Sequence, residues 1–174
     1  MKTTLNRLPQ IPLCIEDQNK LLAHLGKTEL DDEPLPIITI LDTLGLHAAV
    51  RCLFEVDGYE REKRLLAVSF ARRVQYLMEP RSIAALNVAE RHANGRATNE
   101  ELAAAHDSAW AARDAAVWAA RAALNAAEAA FGAAWGVANA AWSASYARDA
   151  SENPDSELAA QEKILREMLS SITA

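Results

Sequence analysis

Between Thr98 and Ser151 the large side chains recur with helical periodicity. Trp110, Val117, Leu124 and Phe131 follow one another every seven residues, and Trp135, Trp142 and Tyr146 continue near the same line at about 100° per residue. The opposite half of the wheel is alanine: Ala112, Ala115, Ala116, Ala119, Ala122, Ala126, Ala130, Ala133 and Ala134. Arg113, Asp114, Arg121, Asn125 and Glu128 leave only a narrow wet edge, and a helix apolar on both sides belongs inside a bundle. Its start is marked by Thr98-Asn99-Glu100-Glu101, a capping-box pattern in which hydroxyl and carboxylate each satisfy an orphan amide. Alanine, which loses no side-chain entropy on ordering, favours helix throughout. Gly132 and Gly136 leave two forms open: one rod of ~75 Å at about 1.5 Å per residue, or a helical hairpin broken near the glycines.

The rest of the chain reads as shorter helices. Residues 1–15 are expected to be extended or irregular and pinned by Leu5, Leu8, Ile11, Leu13 and Ile15. Glu16 and Asp17 precede Leu21, Leu22 and Leu25, and Gly26 follows, the acid-first and glycine-last order of a short helix. An acidic loop, Glu29, Asp31, Asp32 and Glu33, is closed by Pro34 and Pro36. The apolar run Leu35–Leu41 is too short for periodicity to decide, and its helical surroundings favour helix. Asp42 or Thr43 is the expected cap of the next helix, with Leu44, Leu46, Val50, Leu53 and Phe54, before Asp57-Gly58 turns the chain. Tyr59 to Met78 reads as one helix with Leu66, Phe70, Val74 and Leu77 on its buried side. Pro80 and Ser82 open another, with Ile83, Leu86 and Val88 inward and Gly95 at its end. Asn153 caps a last helix with Pro154 at its first position and Leu158, Leu165, Met168, Leu169 and Ile172 on its stripe.

These elements predict an all-α, single-domain helical bundle over residues 1–174: N-terminal helices in 1–97, the alanine-rich segment in 98–151 and a C-terminal helix in 152–174. A net charge of −6 argues against a general nucleic-acid binder, although residues 59–97 are locally basic. With only Tyr59 and Tyr76 available for stacking there, those arginines are expected to pair with Glu60, Glu62, Glu79 and the acidic N-terminal third. Gly132-Ala-Ala-Trp-Gly136 is a GxxxG, but Asn139, Ser143 and Ser145 interrupt the uncharged run and no basic flank orients it, so no membrane span is expected. Cys14 and Cys52 lack CxxC spacing and read as reduced thiols; with no signal peptide at Met1-Lys2-Thr3-Thr4, the expected location is cytoplasmic. No nucleophile elbow, phosphate loop or HExxH is present, and His24, His47, His92 and His106 are dispersed. The chain is therefore expected to be non-enzymatic, with no catalytic residues, no metal and no cofactor.

Leu35-Pro36-Ile37-Ile38-Thr39-Ile40-Leu41-Asp42, Gly45-Leu46-His47-Ala48-Ala49-Val50-Arg51-Cys52-Leu53 and Arg64-Leu65-Leu66-Ala67-Val68 carry a resemblance. So do Ala71-Arg72-Arg73-Val74-Gln75-Tyr76-Leu77-Met78, Pro80-Arg81-Ser82, Ala85-Leu86-Asn87-Val88-Ala89-Glu90, the stretch from Ala93 to Leu102, and Lys20-Leu21-Leu22-Ala23-His24-Leu25-Gly26-Lys27. Together they are similar to a set of alanine-rich bacterial and phage proteins labelled immunity proteins, from which Leu44 and His47 depart. The resemblance implies a small cytoplasmic inhibitor that binds a protein partner, either a toxin or a host defence complex as an anti-CRISPR protein does, and it brings no site residues. The residues themselves supply a partner-binding surface: Glu16, Asp17, Glu29, Asp31, Asp32 and Glu33, whose carboxylates would meet a basic partner. A third reading is a structural scaffold whose alanine face pairs with its copy in a homodimer.

Overall fold

The computed structural model describes residues 1–10, 15–54, 56–78, 80–111, 147–149, 151 and 153–173. The expectations for Ile11, Leu13, Cys14 and Glu79, those for the side chains of Phe54 and Trp110, and those for residues 112–146, including the choice between rod and hairpin, lie outside the described residues. The fold is all-α. Its elements are β1 (Lys2–Thr3), a 3-10 turn (Leu5–Gln10), α1 (Ile15–Leu25), β2 (Leu35–Pro36), α2 (Ile37–Leu44), α3 (Leu46–Phe54) and α4 (Glu60–Arg72). A second 3-10 turn (Gln75–Leu77), α5 (Pro80–Ala93), α6 (Asn99–Ala111) and α7 (Pro154–Thr173) follow. The chain divides into two compact units, Met1–Gly58 with Arg166–Ala174, and Tyr59–Leu165.

In the first unit β1 and β2 pair antiparallel, Lys2 opposite Pro36 and Thr3 opposite Leu35. Leu35 is extended because a residue before proline is pushed out of the helical region, so the apolar run divides: two residues form a strand and Ile37 onward is helix. Leu5, Leu8, Leu21, Ile37, Ile40, Val50 and Leu53 make the core. Ile15 does not join it; it is 77 % exposed. It lies about 120° around α1 from the buried Leu21. Neither Asp42 nor Thr43 caps α3. Both sit inside α2, where the Thr43 hydroxyl donates to the Thr39 carbonyl at 2.8 Å and Asp42 accepts from Arg166 at 2.7 Å. The break falls at Gly45, whose φ of 85° and ψ of −179° belong to a region essentially reserved for glycine. Its amide closes on Leu41 O and its carbonyl accepts from Ala49 N, so one residue ends α2 and begins the next helix.

In the second unit α5 packs against both α4 and α6. Val68, Ala71, Val74, Met78, Leu86, Ala89, Leu102 and Ala147 form the core cluster. The helix expected from Tyr59 to Met78 stops at Arg72. Pro80 has no amide to donate and its ring crowds the carbonyl four residues back, which bars the ladder from about Tyr76 onward; the ladder leaves the α pattern earlier still. It tightens first, with Arg73 N on Phe70 O and Val74 N on Ala71 O, then forms the 3-10 turn. Val74 stays fully buried, but Leu77, expected on the same face, is 41 % exposed.

α5 ends as its glycine predicts. Gly95 has a φ of 68°, and Gly95 N and Arg96 N close on His92 O and Arg91 O. The capping box of α6 forms in both directions: Glu101 N donates to Thr98 Oγ1 at 3.2 Å and Thr98 N to Glu101 Oε2 at 2.8 Å. Asn153 caps α7 through Ser156 N at 3.1 Å, with Pro154 first in the helix. The buried row of α7, however, is Glu157, Gln161, Leu165 and Leu169, an i, i+4 ridge with two polar members. Leu158, Met168 and Ile172 are only half-buried. Glu157 is tolerated inside because it accepts from Arg73 Nε and from Gln161 Nε2, both at 3.1 Å. Among the described residues no helix is long and apolar enough to cross a membrane.

Candidate interaction surface

The acidic residues are placed by α1. Glu16 and Asp17 occupy its first turn, where carboxylates face the positive end of the helix dipole; Glu16 is exposed and Asp17 half-buried. At the other end, about 16 Å away at 1.5 Å per residue, Gly26 takes a φ of 66°. Gly26 N and Lys27 N close on Ala23 O and Leu22 O, the paired bonds of a Schellman ending. That termination aims the chain into the loop carrying the other four acids.

The loop is tied down. Asn6 N donates to Asp31 O at 3.0 Å, Glu33 N donates to Asp31 Oδ1 at 3.1 Å, and Lys27 Nζ reaches Asp31 at 2.5 Å and Glu33 at 2.6 Å. The hydrogen bond from Lys27 holds the Asp31 carboxyl below its usual range, helped by the Glu33 amide, and the Asp31 and Glu33 carboxylates hold the Lys27 ammonium above its own. Glu29, Asp32 and Glu33 are exposed and Asp31 is half-buried. The loop therefore brings Glu29, Asp31, Asp32 and Glu33 together, while Glu16 and Asp17 stand at the opposite end of α1.

No family model, no curated protein and no solved structure matches the chain. What the surface can do thus rests on its own geometry. Beside the loop lies an open cavity of about 150 Å³, lined by Leu5, Leu25, Leu35 and Pro36 and by Lys27, Asp31 and Glu33. Among the described residues no group of three or more His, Cys, Asp or Glu side chains is placed to hold a metal ion. His92 Nε2 meets Asn99 Oδ1 at 2.9 Å and His106 Nδ1 meets Asp107 at 3.3 Å.

The basic stretch is largely occupied in building the second unit. Arg72 bonds Gln75, Asn87 and Glu90; Arg73 bonds Glu157; Arg91 bonds Glu101; Arg61 bonds Asn94 and Glu62. Glu60 and Glu62 pair as expected, with Lys63 and Arg61; among the described residues the other carboxylates that meet this stretch come from α5, α6 and α7. Lys27 enters the sequence reading only as the end of a resembling stretch; it lies beyond the end of α1, where helical i, i+4 spacing gives no signal, and the folded loop brings it to Asp31 and Glu33.

Proposed function

We propose that the chain is a non-catalytic, protein-binding inhibitor that works as an immunity protein does, covering a basic face of a toxin or nuclease with its acidic loop. The observation that supports this reading is the fastened loop of Lys27–Glu33, which holds exposed Glu29, Asp32 and Glu33 on a backbone pinned at Asp31. A surface ordered before encounter avoids the entropic cost of ordering it on binding, and clustered negative charge raises the rate of capture of a cationic partner. Glu16 and Asp17 place the same sign of charge at the far end of α1.

The test is co-expression with candidate toxins, scored by survival, followed by charge reversal at Glu29→Lys and Asp32→Lys. Reversal is expected to slow association about 10-fold or more at low ionic strength and to flatten its salt dependence. Unchanged rates would remove the acidic loop from the mechanism. Restored phage plating on a strain with active defence, without toxin neutralisation, would move the reading to an anti-defence inhibitor.

A further inference from the structure

Among the described elements, α7 alone has residues in both compact units: Pro154 to Leu165 belong to the second, and from Arg166 onward the helix belongs with Met1–Gly58 in the first. The two parts are secured differently. The earlier part opens on the Asn153 cap, carries Asp155 and Glu157 at the positive end of the helix dipole, and buries Glu157, Gln161 and Leu165. The later part has less to hold it. From Arg166 to Ile172 Leu169 alone is buried, and the last turn has no basic residue to meet its free carbonyls. Ser170 and Ser171 turn their hydroxyls back on Arg166 O and Met168 O, each at 2.8 Å, a contact that slightly destabilises a helix.

Yet the first unit leans on this part. Its helices α1, α2 and α3 have 11, 8 and 9 residues, lengths that hold only when tertiary packing supports them. Met1–Gly58 is also near the size, roughly 60 residues, at which a single core is marginal. Arg166 reaches α2, its Nη2 to Asp42 Oδ1 at 2.7 Å, with both side chains about half exposed, so the pair by itself contributes little. Leu169 lies three residues on, on the same face of α7, and is 6 % exposed. The buried leucine is therefore on the side of the helix that meets α2.

We propose that Arg166–Thr173 is a detachable clasp on the first unit: when these two turns of α7 let go, α2 and the α3 joined to it open with them, while the second unit stays folded. Local opening draws on the least secured part of a structure, and here that part is the one supporting a set of short helices. This inference does not rest on the inhibitor reading.

Hydrogen–deuterium exchange of the full chain, read peptide by peptide by mass spectrometry, is the test. Residues 166–173 and Ile37–Phe54 are expected to exchange together, and faster than residues 157–165 and α5. Leu169→Ala removes the one buried side chain of the clasp and is expected to speed exchange in both of those segments by about tenfold or more, with α5 and α6 unchanged. Arg166→Gln, at a half-exposed residue whose loss leaves the core intact, is expected to speed the same two segments by about two- to threefold. Simple fraying of a helix end would speed residues 166–173 and leave Ile37–Phe54 unmoved. A single cooperative block would spread the change equally over α2, α5 and α6, or unfold the whole chain in Leu169→Ala. Either pattern, or unchanged exchange of Ile37–Phe54 in Arg166→Gln, would overturn the proposal.

Discussion

Removing the carboxylate of Glu157 should cost far more than removing an exposed charge of the second unit. Its side chain is 4 % exposed and accepts from Arg73 Nε and Gln161 Nε2, while the Arg73 side chain is 42 % exposed and Gln161 is 1 % exposed. Glu157→Ala deletes the bonds from Arg73 and from Gln161, both charge-assisted because the acceptor is a carboxylate, and takes an acceptor from the buried Gln161 amide. Breaking a fully buried pair costs about 3–5 kcal/mol, but Arg73 turns to water, which leaves about 2–3 kcal/mol. With a urea dependence of about 2 kcal/mol/M for a chain of this size, the midpoint should fall by about 1–1.5 M. Arg73→Ala should cost less, about 1–2 kcal/mol, and the double variant should reveal a coupling of about 1 kcal/mol or more. Replacing Glu157 and Gln161 together by leucine should cost less than Glu157→Ala alone, since the buried Gln161 amide is then no longer left without its carboxylate. Equilibrium denaturation of the four variants is the assay. A Glu157→Ala loss within about 0.5 kcal/mol of zero, or no coupling to Arg73, would refute the argument.

Thr98→Ala removes one half of the reciprocal cap on α6 and should destabilise by about 1 kcal/mol in thermal unfolding. Gly45→Ala should cost about 1–3 kcal/mol although nothing lies within 4 Å of the added Cβ, because the penalty is in the backbone conformation alone; Gly26→Asn, at a φ of 66° that asparagine tolerates, should cost distinctly less. The Asp31 carboxyl is depressed in the folded chain, so its contribution to stability is present above the unfolded value of 3.8 and is lost as pH falls through the folded one. Carbon-detected NMR titration should place it below 3.8, and Lys27→Ala should return it towards that value.

Elements whose ends are set by local chemistry were legible in the sequence. Thr98 with Glu101, Gly26, Gly95 and Asn153 with Pro154 each satisfy helix-end groups from residues a few positions away, so a short window contains the whole cause. The misplaced features depend on tertiary contact. Leu77 fits the apolar period of α4, but its exposure follows from where Val74 and Met78 are anchored. Glu157 and Gln161 are not part of the stripe expected for α7, and their burial depends on Arg73 being brought to them. Asp42 and Thr43 have the chemistry of caps, yet the positive φ needed at the break selects Gly45. Of the interaction surface, the acidic loop was visible as composition; its fastening by Lys27 and Asn6, and the cavity beside it, needed the folding of β1 and β2 against each other.

The joint at Gly45 has no slack. Since a single residue closes one helix through its amide and opens the next through its carbonyl, Ile37 to Phe54 forms one bent strut rather than two rods on a tether. Its amides should therefore exchange with deuterium in a common step, and adding even one residue at the bend should be far more damaging than lengthening the turn between Asn94 and Thr98.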